Sequence, residues 1–173
     1  LTLAETASVF GEMLTFKSLI ERAENDEQRR KLLFDKINAM LNTVIRQISF
    51  YDFEKRTHEQ YKQKKSPLTK EEFMQHWNSV AKESLGPAIK IDDSYGPVFG
   101  YIPHIVKTPF YVYAYAFGDS LVNALWQVYE ESHLPEAEFK DKYFDMLQAG
   151  GTYEISDLQR DFGLDVADPA FWN

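Results

Sequence analysis

The sequence predicts an all-α protein, folded as an irregular bundle of several helices. Over most of the 173 residues, apolar side chains recur at spacings of three and four, the period of a helix with one buried face. Several of these segments follow residues typical of helix starts, and the candidate caps are Thr69, Thr108 and Ser156. No stretch shows the strict alternation of a half-buried strand. We therefore expect helices almost throughout, the longest covering residues 26–65.

Composition argues against several kinds of partner. The net charge is −8 and the isoelectric point is about 5.0, whereas nucleic-acid binding requires a basic surface. The chain has no cysteine, which excludes disulfides and thiolate zinc ligands. No apolar run approaches the roughly 20 residues of a membrane-spanning helix, and no secretory signal pattern is present. We expect neither nucleic acid nor membrane as a partner.

The two ends of the sequence indicate a larger protein. The chain begins with Leu1 rather than methionine, and Asp168-Pro169 is typical of a helix start although the sequence stops at Asn173. The length suffices for one domain with a sizeable core. We therefore expect residues 1–173 to form a single unit that is truncated at both ends.

Residues 1–24 form the first predicted helix, and one of its faces carries two acids. Its apolar face consists of Leu3, Ala7, Phe10, Leu14 and Ile20. Glu5, Ser8 and Glu12 share a second face, because offsets of three, four and seven coincide on a helix. The acids are open to two interpretations: a solvated face favoured by the helix dipole, or a metal ligand with a supporting carboxylate.

The long helix predicted over 26–65 is expected to be amphipathic over most of its length and polar at its end. A wide apolar stripe occupies most of it, but residues 54–65 are nearly all polar and are expected to project into water, with His58 solvated. After a short loop, Thr69 and Glu72 have the spacing of a capping box. This motif predicts the start of the next helix.

Residues 85–101 carry many turn signals and lead into the most distinctive part of the sequence. His104 follows Pro103, so we expect it in a loop after a rigid turn. Thr108-Pro109 has the pattern of a cap followed by proline at the first helical position. The sequence therefore predicts a helix over 109–132.

Three tyrosines, Tyr111, Tyr113 and Tyr115, would lie in the first turns of that helix, close to His104. An imidazole can move a proton near neutral pH, and a phenol can donate a hydrogen bond to a developing oxyanion. The alternative is that the tyrosines are core aromatics with hydroxyls at a wet edge. Tyr115 faces another side of the helix than Tyr113, so we expect it to contribute less to catalysis.

The rest of the chain continues the helical pattern. Gly118 lies inside the tyrosine-rich helix and permits another element to approach closely. Residues 135–147 form a further predicted helix, and a flexible loop at Gly150-Gly151 separates it from a short one over 156–162.

Two segments, taken in order, resemble one family of peptidases. Residues 4–12, Ala-Glu-Thr-Ala-Ser-Val-Phe-Gly-Glu, resemble the segment that follows the zinc motif in oligoendopeptidase F and its thimet-oligopeptidase-like relatives. Residues 102–104, Ile-Pro-His, followed by 109–115, Pro-Phe-Tyr-Val-Tyr-Ala-Tyr, resemble their second active-site segment. The resemblance covers essentially the whole chain. It implies the C-terminal portion of a larger, mostly helical, zincin-type catalytic domain.

The resemblance also implies roles for five residues. Glu5 matches the third zinc ligand of the family, and Glu12 matches an acid that orients a zinc-bound histidine. His104 matches the histidine that faces the substrate. Tyr113 and Tyr111 match phenols that donate hydrogen bonds to the oxyanion.

The chain departs from the family in one respect, because it contains no His-Glu-x-x-His. Its histidines are His58, His76, His104 and His133, none of them paired at a spacing of four. A catalytic zinc needs three protein ligands and an open position, so one glutamate cannot hold it. The resemblance implies a cytoplasmic parent enzyme that hydrolyses short peptides by zinc-activated water. For the fragment itself we expect neither zinc nor activity.

Two other classes stay open on the sequence alone. The chain could be a stand-alone helical interaction module whose aromatic cleft binds a peptide or a protein, or a structural bundle with no site. In the peptidase interpretation, the missing zinc helix would leave part of the apolar surface of residues 1–20 uncovered. Exposed patches of that kind drive association, so we expect the fragment to self-associate.

Overall fold

The structure, a computed structural model, describes residues 3–131, 135–152 and 154–172. Within these ranges the chain is helical and contains no strand, which confirms the predicted all-α class. The α-helices are α1 (Thr6–Glu21), α2 (Asp26–Leu41), α3 (Gln47–Lys64), α4 (Lys70–Leu85), α5 (Pro103–Lys107), α6 (Tyr113–Glu131), α7 (Glu136–Ala149) and α8 (Ile155–Arg160). A π-helical turn (Asn42–Arg46) joins α2 to α3, and 3₁₀ helices cover Asp93–Tyr101 and Pro169–Trp172.

The fold consists of two compact units. The first combines Leu1–Leu32 with Phe117–Asn173, and the second comprises Leu33–Ala116. The sequence-based expectation of a single unit over 1–173 stays a prediction. None of the helices in the described ranges combines the length and the apolar character that crossing a membrane requires.

The core of the first unit is built by α1, α6 and α7. Phe10 of α1 stacks on Tyr143 of α7 with ring centroids 4.5 Å apart, and Leu121 and Leu125 of α6 are completely buried in the same cluster. Burying a side chain of this size contributes about 1.5–3 kcal/mol. Of the apolar face predicted for the first helix, Phe10 is buried in this core, whereas Ala7 and Leu14 are exposed. The other buried apolar residues of α1 are Val9 and Met13.

The core of the second unit lies between α3 and α4. Phe53 and Trp77 are 0% and 1% exposed, and their rings meet edge to face at 5.2 Å. Phe50 stacks on the same tryptophan, also at 5.2 Å. At the rim, Arg56 of α3 bridges to Glu83 of α4 at 2.6 Å. Aromatic packing thus fixes α3 against α4.

The structure confirms the predicted helix cap at Thr69 but not the one at Ser156. At Thr69 the capping box is confirmed: the side chain of Thr69 accepts from the Glu72 amide at 3.3 Å, and Glu72 Oε2 accepts from the Thr69 amide at 2.6 Å. Ser156, in contrast, lies inside α8 rather than before it. The predicted loop over 85–101 is partly ordered, because the Asp92 side chain caps the 3₁₀ helix that begins at Asp93.

The prediction of a cap at Thr108 is wrong. Pro103 begins a separate short helix, α5, and the Thr108 amide closes it by donating to the His104 carbonyl at 2.9 Å. Phe110 then takes a left-handed conformation, φ +60°, which a helix cannot include. For this reason α6 begins at Tyr113 rather than at residue 109, and His104 lies in the first turn of a helix rather than in a loop.

Replacing Thr69 by alanine should lower the free energy of unfolding by about 1 kcal/mol, because the hydroxyl oxygen that accepts the Glu72 amide is lost while the amide of residue 69 can still donate to Glu72. The matched control is Thr15→Ala, since Thr15 is exposed and its hydroxyl donates to the Gly11 carbonyl of its own helix; its effect should stay within about 0.5 kcal/mol. Urea unfolding followed by circular dichroism measures both. Equal losses for the two variants would contradict this account of the start of α4.

Candidate functional site

His104 is held beside a tyrosine at the start of α6. Its Nε2 atom lies 3.2 Å from the hydroxyl of Tyr115, and the two rings are perpendicular, with centroids 5.8 Å apart. Tyr111 packs edge to face on Tyr115 at 5.4 Å. The structure therefore brings His104, Tyr111 and Tyr115 into one cluster, all within the second unit.

Tyr115 is the tyrosine whose hydroxyl contacts His104, although the sequence analysis ranked it below Tyr113. The expectation that it would be less important rested on helical phase relative to Tyr113, and that phase says nothing about which face His104 meets. His104 and Tyr115 are joined by the turn after α5, whose conformation no local pattern reveals. Tyr113 lies half-buried, and its ring packs edge to face on Tyr51 of α3 at 5.9 Å.

A buried acid, Glu54, lies beneath the turn between α5 and α6. Its side chain is 1% exposed, and Oε1 accepts a hydrogen bond from the Phe110 amide at 2.9 Å. Burial raises the pKa of Glu54, while the Phe110 amide and then the charges of His58 and His104 oppose that increase. His58 itself is exposed, with its ring 4.8 Å from that of Phe110.

The expectation that residues 54–65 project into water is therefore wrong at its start. Glu54 and Thr57 are both buried, because they continue the face of α3 that carries Phe50 and Phe53. The spacing from Phe50 through Glu54 to Thr57 is four and then three, the period of the apolar stripe. The helical phase of Glu54, which matches the apolar stripe, could therefore have indicated that this carboxylate is buried.

The two acids of the first predicted helix lie in the first unit. Glu5 immediately precedes α1 and is half-buried; the Ser8 hydroxyl donates to its carbonyl at 2.9 Å. Glu12 is exposed, two turns further along α1. A Cβ atom added at Gly118 of α6 would come within 3.3 Å of the Glu5 Cβ, which confirms the close approach predicted for this glycine.

The described part of the chain does not by itself fit a zinc ion. A catalytic zinc requires three protein ligands, and over residues 3–131, 135–152 and 154–172 no group of three or more His, Cys, Asp or Glu side chains is placed to hold a metal. Glu5 lies in the first unit, and His104 with its tyrosines lies in the second.

Comparison with known proteins identifies a family over the whole chain. The profile of a family described as Peptidase family M3 matches residues 1–173. Oligopeptidase PepF of Bacillus subtilis (strain 168) is 31% identical over 166 residues, covering 96% of this chain and 24% of that protein. The oligoendopeptidase F homolog of Borreliella burgdorferi is 28% identical over 167 residues, covering 96% of this chain and 28% of that protein.

A third relative likewise matches nearly all of this chain over a small part of its own length. The protein named Oligoendopeptidase F, plasmid, of Lactococcus lactis subsp. cremoris is 26% identical over 164 residues, covering 95% of this chain and 26% of its own length. No solved structure gives a significant match. This chain spans about a quarter of the length of these relatives. Because the family profile matches every residue, the resemblance noted in the sequence is confirmed: the chain belongs to peptidase family M3.

Proposed function

We propose that this chain is the C-terminal portion of the catalytic domain of a zinc-dependent oligoendopeptidase that cleaves short peptides in the cytoplasm. The observation that carries the proposal is the family match over residues 1–173, with relatives named as oligopeptidases or oligoendopeptidases. The contact of His104 with the Tyr115 hydroxyl agrees with it, because hydrogen-bond donors of this kind stabilise charge on a reacting carbonyl.

In this proposal the first unit contributes to metal binding. Glu5 supplies one zinc ligand, and Glu12 supports a histidine ligand that lies outside this chain. Zinc, when bound, would activate the water that attacks the peptide bond. Gly118 supports this role because its lack of a side chain lets α6 pack directly against the backbone at Glu5. The chain by itself is proposed to bind no zinc and to cleave no peptide.

The second unit contributes to transition-state stabilisation. His104, Tyr113 and Tyr111 donate hydrogen bonds to the oxygen of the scissile carbonyl as negative charge develops there. Such bonds strengthen along the reaction and therefore act on kcat more than on KM. The hydrogen bond between His104 and Tyr115 would orient the imidazole for this task.

A second candidate function rests on a groove in the second unit. It has a volume of about 540 Å³ and is lined by apolar and polar side chains, among them Leu41, Ile45, Phe50, Trp77 and Tyr95. Aromatic grooves of this size accommodate apolar ligand groups. This favours the alternative of a helical interaction module that binds a peptide or protein; binding of a peptide library without cleavage by the intact protein would support it.

Self-association of the isolated chain is a further part of the proposal. α1 exposes two leucines, Leu14 and Leu19, at 49% and 47% of their surface. Contiguous apolar patches favour association, and we propose that these two leucines belong to one. Short peptides are the proposed substrates, and neither nucleic acid nor membrane is a proposed partner.

In the full-length parent enzyme, here called the intact protein, zinc content should distinguish the proposed zinc ligand, Glu5, from the supporting acid, Glu12. Glu5→Gln should remove stoichiometric zinc and abolish cleavage, because a neutral amide is a poor ligand for the ion. Glu12→Gln should weaken zinc affinity by about 10- to 100-fold, the effect expected of a supporting group. The matched control, Glu21→Gln at the exposed end of α1, should change neither. Metal analysis after dialysis measures all three; full zinc retention in Glu5→Gln would refute the assignment.

The loss of kcat should be larger when the Tyr113 hydroxyl is removed than when the Tyr115 hydroxyl is removed. Tyr113→Phe in the intact protein should lower kcat about 100- to 1,000-fold with little change in KM, because an oxyanion donor is lost. Tyr115→Phe should cost about tenfold or less, since it removes a neutral hydrogen bond to His104. Steady-state cleavage of a quenched fluorescent peptide gives both values. The reverse ranking would assign the donor role to Tyr115.

Light scattering tests self-association of the isolated chain. Its average mass should rise with concentration, and Leu14→Asp combined with Leu19→Asp should reduce that rise by placing charge on the apolar surface. Thr15→Asp adds a charge at an exposed polar position of the same helix and should leave the association unchanged. A strict monomer at high concentration would count against this part of the proposal.

A further inference from the structure

Glu54 is a buried acid that the proposed chemistry does not use. Its side chain is 1% exposed, in a helix whose neighbouring buried positions are Phe50, Phe53 and Thr57. Burying a carboxylate is unfavourable unless hydrogen bonds compensate. Among the described residues, Oε2 has no hydrogen-bond partner, and Oε1 accepts the bond from the Phe110 amide.

The residue that Glu54 contacts is held in an unusual conformation. Phe110 has a φ of +60°, a region that a bulky side chain rarely occupies and that persists only when neighbouring contacts impose it. Its amide donates to Glu54 Oε1 at 2.9 Å. Without this acceptor the amide would be partly buried and unpaired.

One face of α3 holds both the backbone and the ring of Phe110. Tyr51, Glu54 and His58 are spaced by three and four, so they follow one another along the same face. The ring of Phe110 lies 6.0 Å from that of Tyr51 and 4.8 Å from that of His58, while Glu54 between them accepts from the amide. Three side chains of one rigid helix therefore fix this single residue.

Phe110 lies in the turn between α5 and α6, so its contact with Glu54 affects how these two helices are placed. Residues 108–112 connect α5, which carries His104, to α6, which begins with Tyr113 and carries Tyr115 two residues later. A rotation at Phe110 would change the phase of α6 relative to α5. The 3.2 Å contact between His104 and Tyr115 depends on that phase.

We propose that Glu54 is a positioning residue that, by accepting the Phe110 amide, fixes the turn between α5 and α6 and so sets the placement of His104 against Tyr115. The structural part of this inference stands on the contacts alone, and its consequence for catalysis rests on the proposed peptidase function. Glu54 acts through backbone geometry and does not touch substrate.

The ionisation of Glu54 is secondary to this role. The titratable groups that face it are His58, from its own helix, and His104, from α5. Burial raises its pKa, so the protonated form is favoured on folding and the folded state gains stability as pH falls from the raised value toward 4.5. Either form keeps an oxygen that can accept the amide, and Glu54→Gln should preserve the position while removing this pH dependence.

The test is amide exchange in the isotopically labelled chain. Glu54→Ala and Glu54→Asp should accelerate exchange of the Phe110 amide about tenfold or more relative to wild type. Alanine has no acceptor oxygen, and the shorter aspartate side chain does not reach the amide. Both should also weaken the cross-ring contacts between His104 and Tyr115. Glu54→Gln should keep exchange within about threefold, since its side-chain oxygen reaches the same amide. Phe53 and Trp77 amides report whether α3 and α4 stay folded.

Thr57→Val is the matched control. Thr57 is buried in the same helix, and its hydroxyl donates to the Phe53 and Glu54 carbonyls of that helix. This variant should lower stability without selectively exposing the Phe110 amide. If Glu54→Asp and Glu54→Ala affect Phe110 no more than Thr57→Val does, Glu54 is a structural residue and the inference is overturned.

Kinetics of the intact protein separate this inference from the proposed function. Glu54→Asp should lower kcat with little change in KM, and Glu54→Gln should restore most of it. An intact, folded protein without any peptidase activity would contradict the proposed function, while the exchange result would still decide the role of Glu54. Full kcat in Glu54→Asp together with fast Phe110 exchange would refute the catalytic consequence.

Discussion

The turn at Phe110 is the constraint on which the candidate site of the second unit depends. A left-handed residue ends one helical segment and allows another to begin in a new direction. Because α5 closes at Thr108 and α6 begins at Tyr113, the conformation of this turn affects which tyrosine meets His104. The hydrogen bond to Glu54 and the flanking rings of Tyr51 and His58 hold it in place.

The aromatic content of the chain is explained by two separate cores. In the second unit, Phe53 and Trp77 fix α3 against α4, and α3 then presents Glu54 to the turn. In the first unit, Phe10 and Tyr143 join α1 to α7, and Gly118 packs closely against Glu5, which immediately precedes α1. In each unit, ordinary apolar packing positions the residues to which we assign chemistry.

The sequence predicted the fold class because helical periodicity is a local property that burial of one face imposes. The capping box at Thr69 was predictable for the same reason, since both of its hydrogen bonds lie within four residues. The start of α6 was not predictable. Thr108-Pro109 has the local pattern of a cap, and what overrides it is a contact with Glu54, which lies more than fifty positions earlier in the chain.

The site was predictable only in part, again for physical reasons. His104 and the tyrosines could be selected by residue type and by resemblance, but the pairing of His104 with Tyr115 follows from the turn and not from spacing. Glu54 resembles the polar residues after it in composition, and only its phase with Phe50 marks it as buried. Roles for Glu5 and Glu12 rest on the family and on ligands that this chain does not contain.

We propose that this chain has the same function as the corresponding segment of an oligoendopeptidase. The most direct measurement replaces the matching segment of the Bacillus subtilis oligopeptidase PepF with residues 1–173 and follows cleavage of a quenched fluorescent oligopeptide. We expect the chimera to fold, to bind zinc and to cleave the peptide, with activity lost on chelation and restored by zinc. A folded chimera that retains stoichiometric zinc but cleaves nothing would contradict the account.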